Sequence, residues 1–153
     1  MIISELRVNH VTEPKGYCYE PVSFSWKVEA EEGAKAQKFA RITVKKGSET
    51  VYDSGEDEKT DSLDYPVRFE MEPRCRYDWT VSVTADNGET AEASSYFETG
   101  KCREAWQAQW ITPGDGITNA DAMAGYILEK TFCVRDKKDA RLYICGLGVY
   151  ECY

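Results

Sequence analysis

The amino-acid sequence predicts an all-β chain: one antiparallel two-sheet sandwich over residues 1–100, followed by strands of an incomplete second β domain. Three observations predict it. Apolar residues fall on every second position over short stretches, as in Val22, Phe24, Trp26 and Val28 and again in Tyr77, Trp79, Val81 and Val83. Turn residues separate these stretches, and no stretch reads as a helix; Glu29 to Lys38 is charged enough to pass for a helical turn, but Gly33 and its flanking strand patterns favour a loop. The last fifty residues carry too few strand patterns to bury both faces of a sheet.

Leu6 and Val8 alternate with Glu5, Arg7 and Asn9 and give a short first strand. Val11 to Pro21, with Pro14 and Gly16, is a turn-rich connection. Val22 to Val28 then sends Trp26 to the interior that also receives Trp79, so these two strands face each other across the sandwich. Ala40, Ile42 and Val44 form a third strand, Lys46-Gly47-Ser48 turns it into a shorter one near Thr50 to Ser54, and Asp53 to Asp64 is a polar, acidic loop. Tyr65, Val67, Phe69 and Met71 alternate, with Pro66 on an outward or edge side. Pro73 is a corner that starts the central strand, where a tyrosine such as Tyr77 can bury its ring and bond backbone upstream. Asp86-Asn87-Gly88 ends that strand in a hairpin, and Ala93 to Thr99 returns as the seventh.

Residues 101–124 read as a linker with tryptophan anchors, and residues 125–153 as the opening strands of a second domain. Tyr126 to Thr131 is apolar in part on both faces; Leu142 and Ile144 lead through Gly146-Leu147-Gly148 into Val149 to Tyr153, a strand pattern that stops in mid-course. The expectation is a truncated domain whose strands pack on the sandwich, pair with another copy of the chain, or stay partly unpaired.

With 27 Asp and Glu against 19 Lys and Arg, the net charge of -8 repels phosphate backbones and anionic lipid, so nucleic acid and membrane surfaces are poor partners. The N-terminus shows neither a basic leader nor a signal-length apolar core, and the expected setting is cytoplasmic. Six cysteines without a Cys-x-x-Cys pair then read as reduced thiols.

Met71-x-Pro73-x-Cys75-x-Tyr77-x-Trp79 resembles the E-to-F corner of fibronectin type III modules, which makes the sandwich fibronectin-III/immunoglobulin-like. The order of segments goes further. Leu6-Arg7-Val8-Asn9, Phe24-Ser25-Trp26-Lys27, Asp53-Ser54-Gly55, Tyr77-x-Trp79-x-Val81, Phe97-Glu98-Thr99-Gly100, Trp106-x-Ala108-x-Trp110-Ile111 and Ala140-Arg141-Leu142-Tyr143 with Gly146-Leu147-Gly148-x-Tyr150-Glu151 together resemble the N-terminal end of bacterial α-L-rhamnosidases. That resemblance implies a first module followed by a jelly-roll domain and an (α/α)6 barrel, whose acidic residues hydrolyse terminal α-L-rhamnose with inversion. It implies no catalytic residue here, because no position matches one. The chain then serves as a non-catalytic accessory segment, with the remainder of a parent hydrolase as partner.

The residues themselves offer few competing sites. Glu31-Glu32 and Glu56-Asp57-Glu58 supply carboxylates, but in loops where solvated charge is the simpler account. Asp53 to Glu58 lacks the residue order of a calcium loop, and Gly146-x-Gly148 lacks the rest of a dinucleotide motif, so neither a metal nor a cofactor is expected. His10, the sole histidine, reads as a turn or surface residue. Trp106 and Trp110 can stack on a sugar or, better, pin two modules together. Tyr17, Tyr19 and Tyr65, aromatics close to loops, motivate an alternative: a stand-alone module that binds protein or glycan.

Overall fold

A computed structural model of the chain describes residues 1–30, 33–112, 127–133, 135 and 140–153. The chain divides into two compact units, Met1–Ala105 and Trp106–Tyr153. The first contains eight strands: β1 (Ile2–Val8), β2 (Lys15–Tyr17), β3 (Val22–Glu29), β4 (Gln37–Lys46), β5 (Glu49–Asp53), β6 (Tyr65–Val67), β7 (Arg76–Ala85) and β8 (Thr90–Thr99). They form a three-stranded sheet in the order β1-β3-β6 and a five-stranded sheet in the order β2-β8-β7-β4-β5.

Alternation in β7 becomes burial. Tyr77, Trp79, Val81, Val83 and Ala85 are buried, while Arg76 and Asp78 are exposed. Opposite them β3 buries Val22, Phe24 and Trp26. Trp26 and Trp79 share one core, as their alternation predicts, but the ring seated on Trp79 is Phe24, with centroids 4.6 Å apart. Trp26, one pleat along, donates its indole N–H to Gln37 Oε1 at 3.3 Å.

Turns follow the chemistry of their residues. Gly88 has φ 86°, and the N–H of Ala85 donates to the carbonyl of Glu89 at 2.8 Å, closing the β7–β8 hairpin around Asp86-Asn87-Gly88. At the end of β1, Asn9 and His10 both have positive φ, 47° and 67°, and Val8 and Val11 exchange backbone hydrogen bonds across them. This is a two-residue turn with an exposed His10. The Asn9 carboxamide secures it, its Oδ1 accepting from Ser23 N–H at 3.0 Å.

Three expectations change. The connection from Val11 to Pro21 contains β2, which pairs in parallel with β8; Lys15-Gly16-Tyr17 is exposed throughout and so carries no alternation to read. The strand expected from Tyr65 to Met71 is confined to Tyr65–Val67, although Phe69 and Met71 still pack on the core and Pro66 does lie on an edge strand. The cysteines are not all reduced, because Cys18 and Cys102 form a disulfide. Chain topology brings them together, with Cα atoms 5.3 Å apart despite a separation of 84 residues. The first unit extends to Ala105; Arg74 N–H donates to Gly100 O at 2.8 Å and the disulfide fastens Cys102.

Within Trp106–Tyr153, no strand forms among the described residues, and Ile127, Phe132, Leu142 and Val149 are exposed. Alternation sets which faces a strand would present, but a strand needs a partner for its backbone groups, and none is paired here. The Gly146-Leu147-Gly148 turn is present: Gly148 has φ 112°, and a Cβ on Gly146 would lie 2.3 Å from the Tyr150 ring. Tyr126 and the Gly-rich loop before it fall outside the described residues.

Candidate functional site

The motif positions that distinguish this sequence build structure. At the corner before β7 the N–H of Glu72 donates to the Tyr77 hydroxyl at 2.8 Å, and burial pushes that hydroxyl's pKa up. Thr99, buried on β8, ties the same corner: its hydroxyl donates to Glu72 O at 2.7 Å and accepts from Cys75 N–H at 2.9 Å. Asp53-Ser54-Gly55 is a loop lock. Asp53 Oδ1 accepts from Arg41 Nε at 2.8 Å and from Gly55 N–H at 3.0 Å, while Ser54 Oγ accepts from Ile42 N–H at 2.8 Å. The hydrogen bond from Arg41 is the main reason the Asp53 carboxyl falls from 3.8 to about 2.

The loop tyrosines lie in two places. Tyr17 and Tyr19 stack on each other with centroids 5.3 Å apart and an interplanar angle of 11°. Tyr17 is 53% exposed, whereas Tyr19 is partly buried against the core. Tyr65 instead meets Tyr52, hydroxyl to hydroxyl at 3.2 Å, and burial followed by that bond drives the Tyr52 hydroxyl's pKa upward. The three candidate tyrosines therefore do not converge on one ligand surface. Trp106 and Trp110, in the second unit, are 51% and 68% exposed. On the outer face of the five-stranded sheet the Arg76 guanidinium lies 3.8 Å from the centroid of the Tyr96 ring, a contact that alternation along each strand separately does not reveal.

Two grooves open on the first unit. One, of 610 Å³, is lined by Arg7, His10, Trp26, Gln37 and Leu63 and by Glu5, which is 3.1 Å from the Arg7 guanidinium. The other, of 790 Å³, is lined by Tyr19, Pro21, Phe69 and Met71 and walled by Cys18 and Cys102. Asp53 beside Arg41, Glu72 beside Lys46 and Asp86 beside the Lys35 N–H are each held below the usual carboxylate range. Glu56 and Glu58 are exposed, and Asp57 is occupied in a backbone bridge to Ala40. Glu31-Glu32 lies outside the described residues. Among the described residues no three His, Cys, Asp or Glu side chains gather as a metal would require.

Two facing sheets, a tyrosine corner and a polar outer face define an immunoglobulin-like β-sandwich domain. The chain belongs to the family described as Rha78A-like, N-terminal immunoglobulin domain, which matches residues 3–103. A curated relative, the α-L-rhamnosidase of Streptomyces avermitilis, is 28% identical over 127 residues, which is 77% of this chain and 12% of that protein. Among solved structures, the α-L-rhamnosidase from Dictyoglumus thermophilum matches with a TM-score of 0.64 and 25% identity, over 74% of this chain and 14% of that one. The Streptomyces avermitilis enzyme complexed with L-rhamnose matches with a TM-score of 0.58 and 26% identity, over 64% and 10%. The chain thus spans about an eighth of the length of its curated relative.

Proposed function

We propose that this chain is a non-catalytic N-terminal accessory segment of an α-L-rhamnosidase-like glycoside hydrolase, supporting a catalytic barrel supplied by the remainder of that protein. The observation that carries the reading is the match of the whole sandwich, residues 3–103, to a domain found at the start of such enzymes. Trp106 and Trp110 belong to the reading as anchors between modules, and residues 125–153 as the start of the next β domain. An antibody raised against the chain tests this on lysates of the source cells. A polypeptide several times heavier than 17.4 kDa supports the accessory role, and a sole species at 17.4 kDa overturns it.

The setting we favour is cytoplasmic; no helix among the described residues is long and apolar enough to cross a membrane.

A second reading, a stand-alone module that binds glycan, draws on the stacked Tyr17–Tyr19 pair with Tyr17 half exposed. Calorimetric titration with L-rhamnose and rhamnose-containing oligosaccharides separates the two. Binding that disappears in Tyr17→Ala favours the module, and absence of heat favours the accessory segment.

A further inference from the structure

Cys18 follows β2 directly, and Cys102 lies three residues beyond β8; both are exposed, and the bond between them spans the point where the chain leaves the sandwich. Other ties at this point include Glu98 N–H to Pro14 O at 2.9 Å and Arg74 N–H to Gly100 O at 2.8 Å. β2 pairs with β8 over three residues with a register shift, joined by Gly100 N–H to Tyr17 O at 3.1 Å. Residues 101–104 are further held by Arg74–Glu104 at 2.8 Å, Lys101–Glu104 at 3.6 Å and Arg103–Glu20 at 3.4 Å. Arg103–Glu20 is open to solvent on both sides and contributes little, whereas Lys101–Glu104 is the more enclosed pair. The two sheets have a hold of their own. Phe24, Tyr77, Trp79 and Phe97 are buried on β3, β7 and β8, and β7 is paired along most of its length to β4 and β8.

We propose that Cys18–Cys102 is a redox latch: closed, it clamps residues 101–105 to the β2 segment, and open, it releases both while the two sheets stay packed. Opening is an exchange with a dithiol reductant. Its thiolate attacks one sulfur of the pair to give a mixed disulfide, and its second thiol resolves that bond. Two electrons and two protons pass to the protein, leaving two cysteine thiols and the reductant's own disulfide; closing is the reverse. Because both cysteines also wall the groove beside Tyr19, Phe69 and Met71, the same exchange changes that groove's rim.

The test uses the full chain with Cys75, Cys133, Cys145 and Cys152 replaced by serine, so that the pair alone reacts. Amide hydrogen exchange is measured after oxidation and after treatment with dithiothreitol. On reduction, the amides of Gly100 and Glu104, which donate to Tyr17 O and Lys101 O, are expected to exchange about tenfold faster or more, with β7 amides unchanged. The natural chain carrying only Cys102→Ser is expected to exchange as the reduced form under either condition. Failure of the pair to oxidise, equal exchange in both states, or loss of β7 protection on reduction would each overturn the latch.

Discussion

The backbone N–H of Glu72 donates to the hydroxyl of Tyr77 across 2.8 Å, five residues upstream in the chain. Around it, the Tyr77 ring stacks on Phe97 at 5.2 Å and meets the edge of Phe69 at 5.4 Å, so the tyrosine joins the corner before β7 to the core. Tyr77→Phe keeps the ring and leaves the Glu72 N–H without its acceptor. The expected loss of stability is about 1–3 kcal/mol, read from urea unfolding. An unchanged midpoint would show that the hydroxyl holds nothing.

Gly100 meets Gly16 backbone to backbone, and a Cβ added at Gly100 would fall 2.2 Å from the Gly16 carbonyl oxygen. Backbone at this junction of β2 and β8 cannot give way as a flexible side chain would. Gly100→Ala is therefore expected to cost about 1–3 kcal/mol in thermal or urea unfolding. A neutral substitution would mean that β2 does not lie against β8.

Trp79→Ala and Trp26→Ala are each expected to destabilise by about 3–5 kcal/mol, the scale for emptying a large buried aromatic site. Trp110→Ala, at an exposed position, should stay within about 0.5 kcal/mol. Equal effects at all three positions would contradict the division into core and surface tryptophans.

Asp53 gives a pH signature. Its carboxyl is lowered from 3.8 to about 2, mainly by Arg41, so the folded state binds its proton less readily than the unfolded chain does. The resulting stabilisation is present above the ordinary carboxylate range and is lost as pH falls through about 2. The stability gap between the natural chain and Asp53→Asn should therefore be widest near neutral pH and close as pH falls toward 2. A gap that stays constant would place the role of Asp53 elsewhere.

What was legible in the sequence is what repeats or turns sharply. β7 announces itself because one side meets water more than the other, so Tyr77 and Trp79 fall on alternate positions; in β3 Phe24 and Trp26 alternate with serines although Ser23 is itself buried. Asn87-Gly88 is legible because a glycine at φ 86° has a local reason to be there. β2 was hidden, since three exposed residues held by the backbone of β8 leave no side-chain pattern. The meeting of Cys18 with Cys102, like that of Gly16 with Gly100, is a product of topology across 84 residues. The candidate tyrosines were visible as loop aromatics, but their division into Tyr17–Tyr19 and Tyr52–Tyr65 depends on which strands become neighbours. In the second unit, alternation from Leu142 to Tyr153 describes faces without supplying a partner strand.

The most direct measurement of the central proposal, that this chain is a non-catalytic accessory segment, is its turnover of p-nitrophenyl α-L-rhamnopyranoside. The chain is expected to release no p-nitrophenol above the buffer rate at any pH at which it stays folded. Turnover that follows the chain through repurification and scales with its concentration would contradict the account.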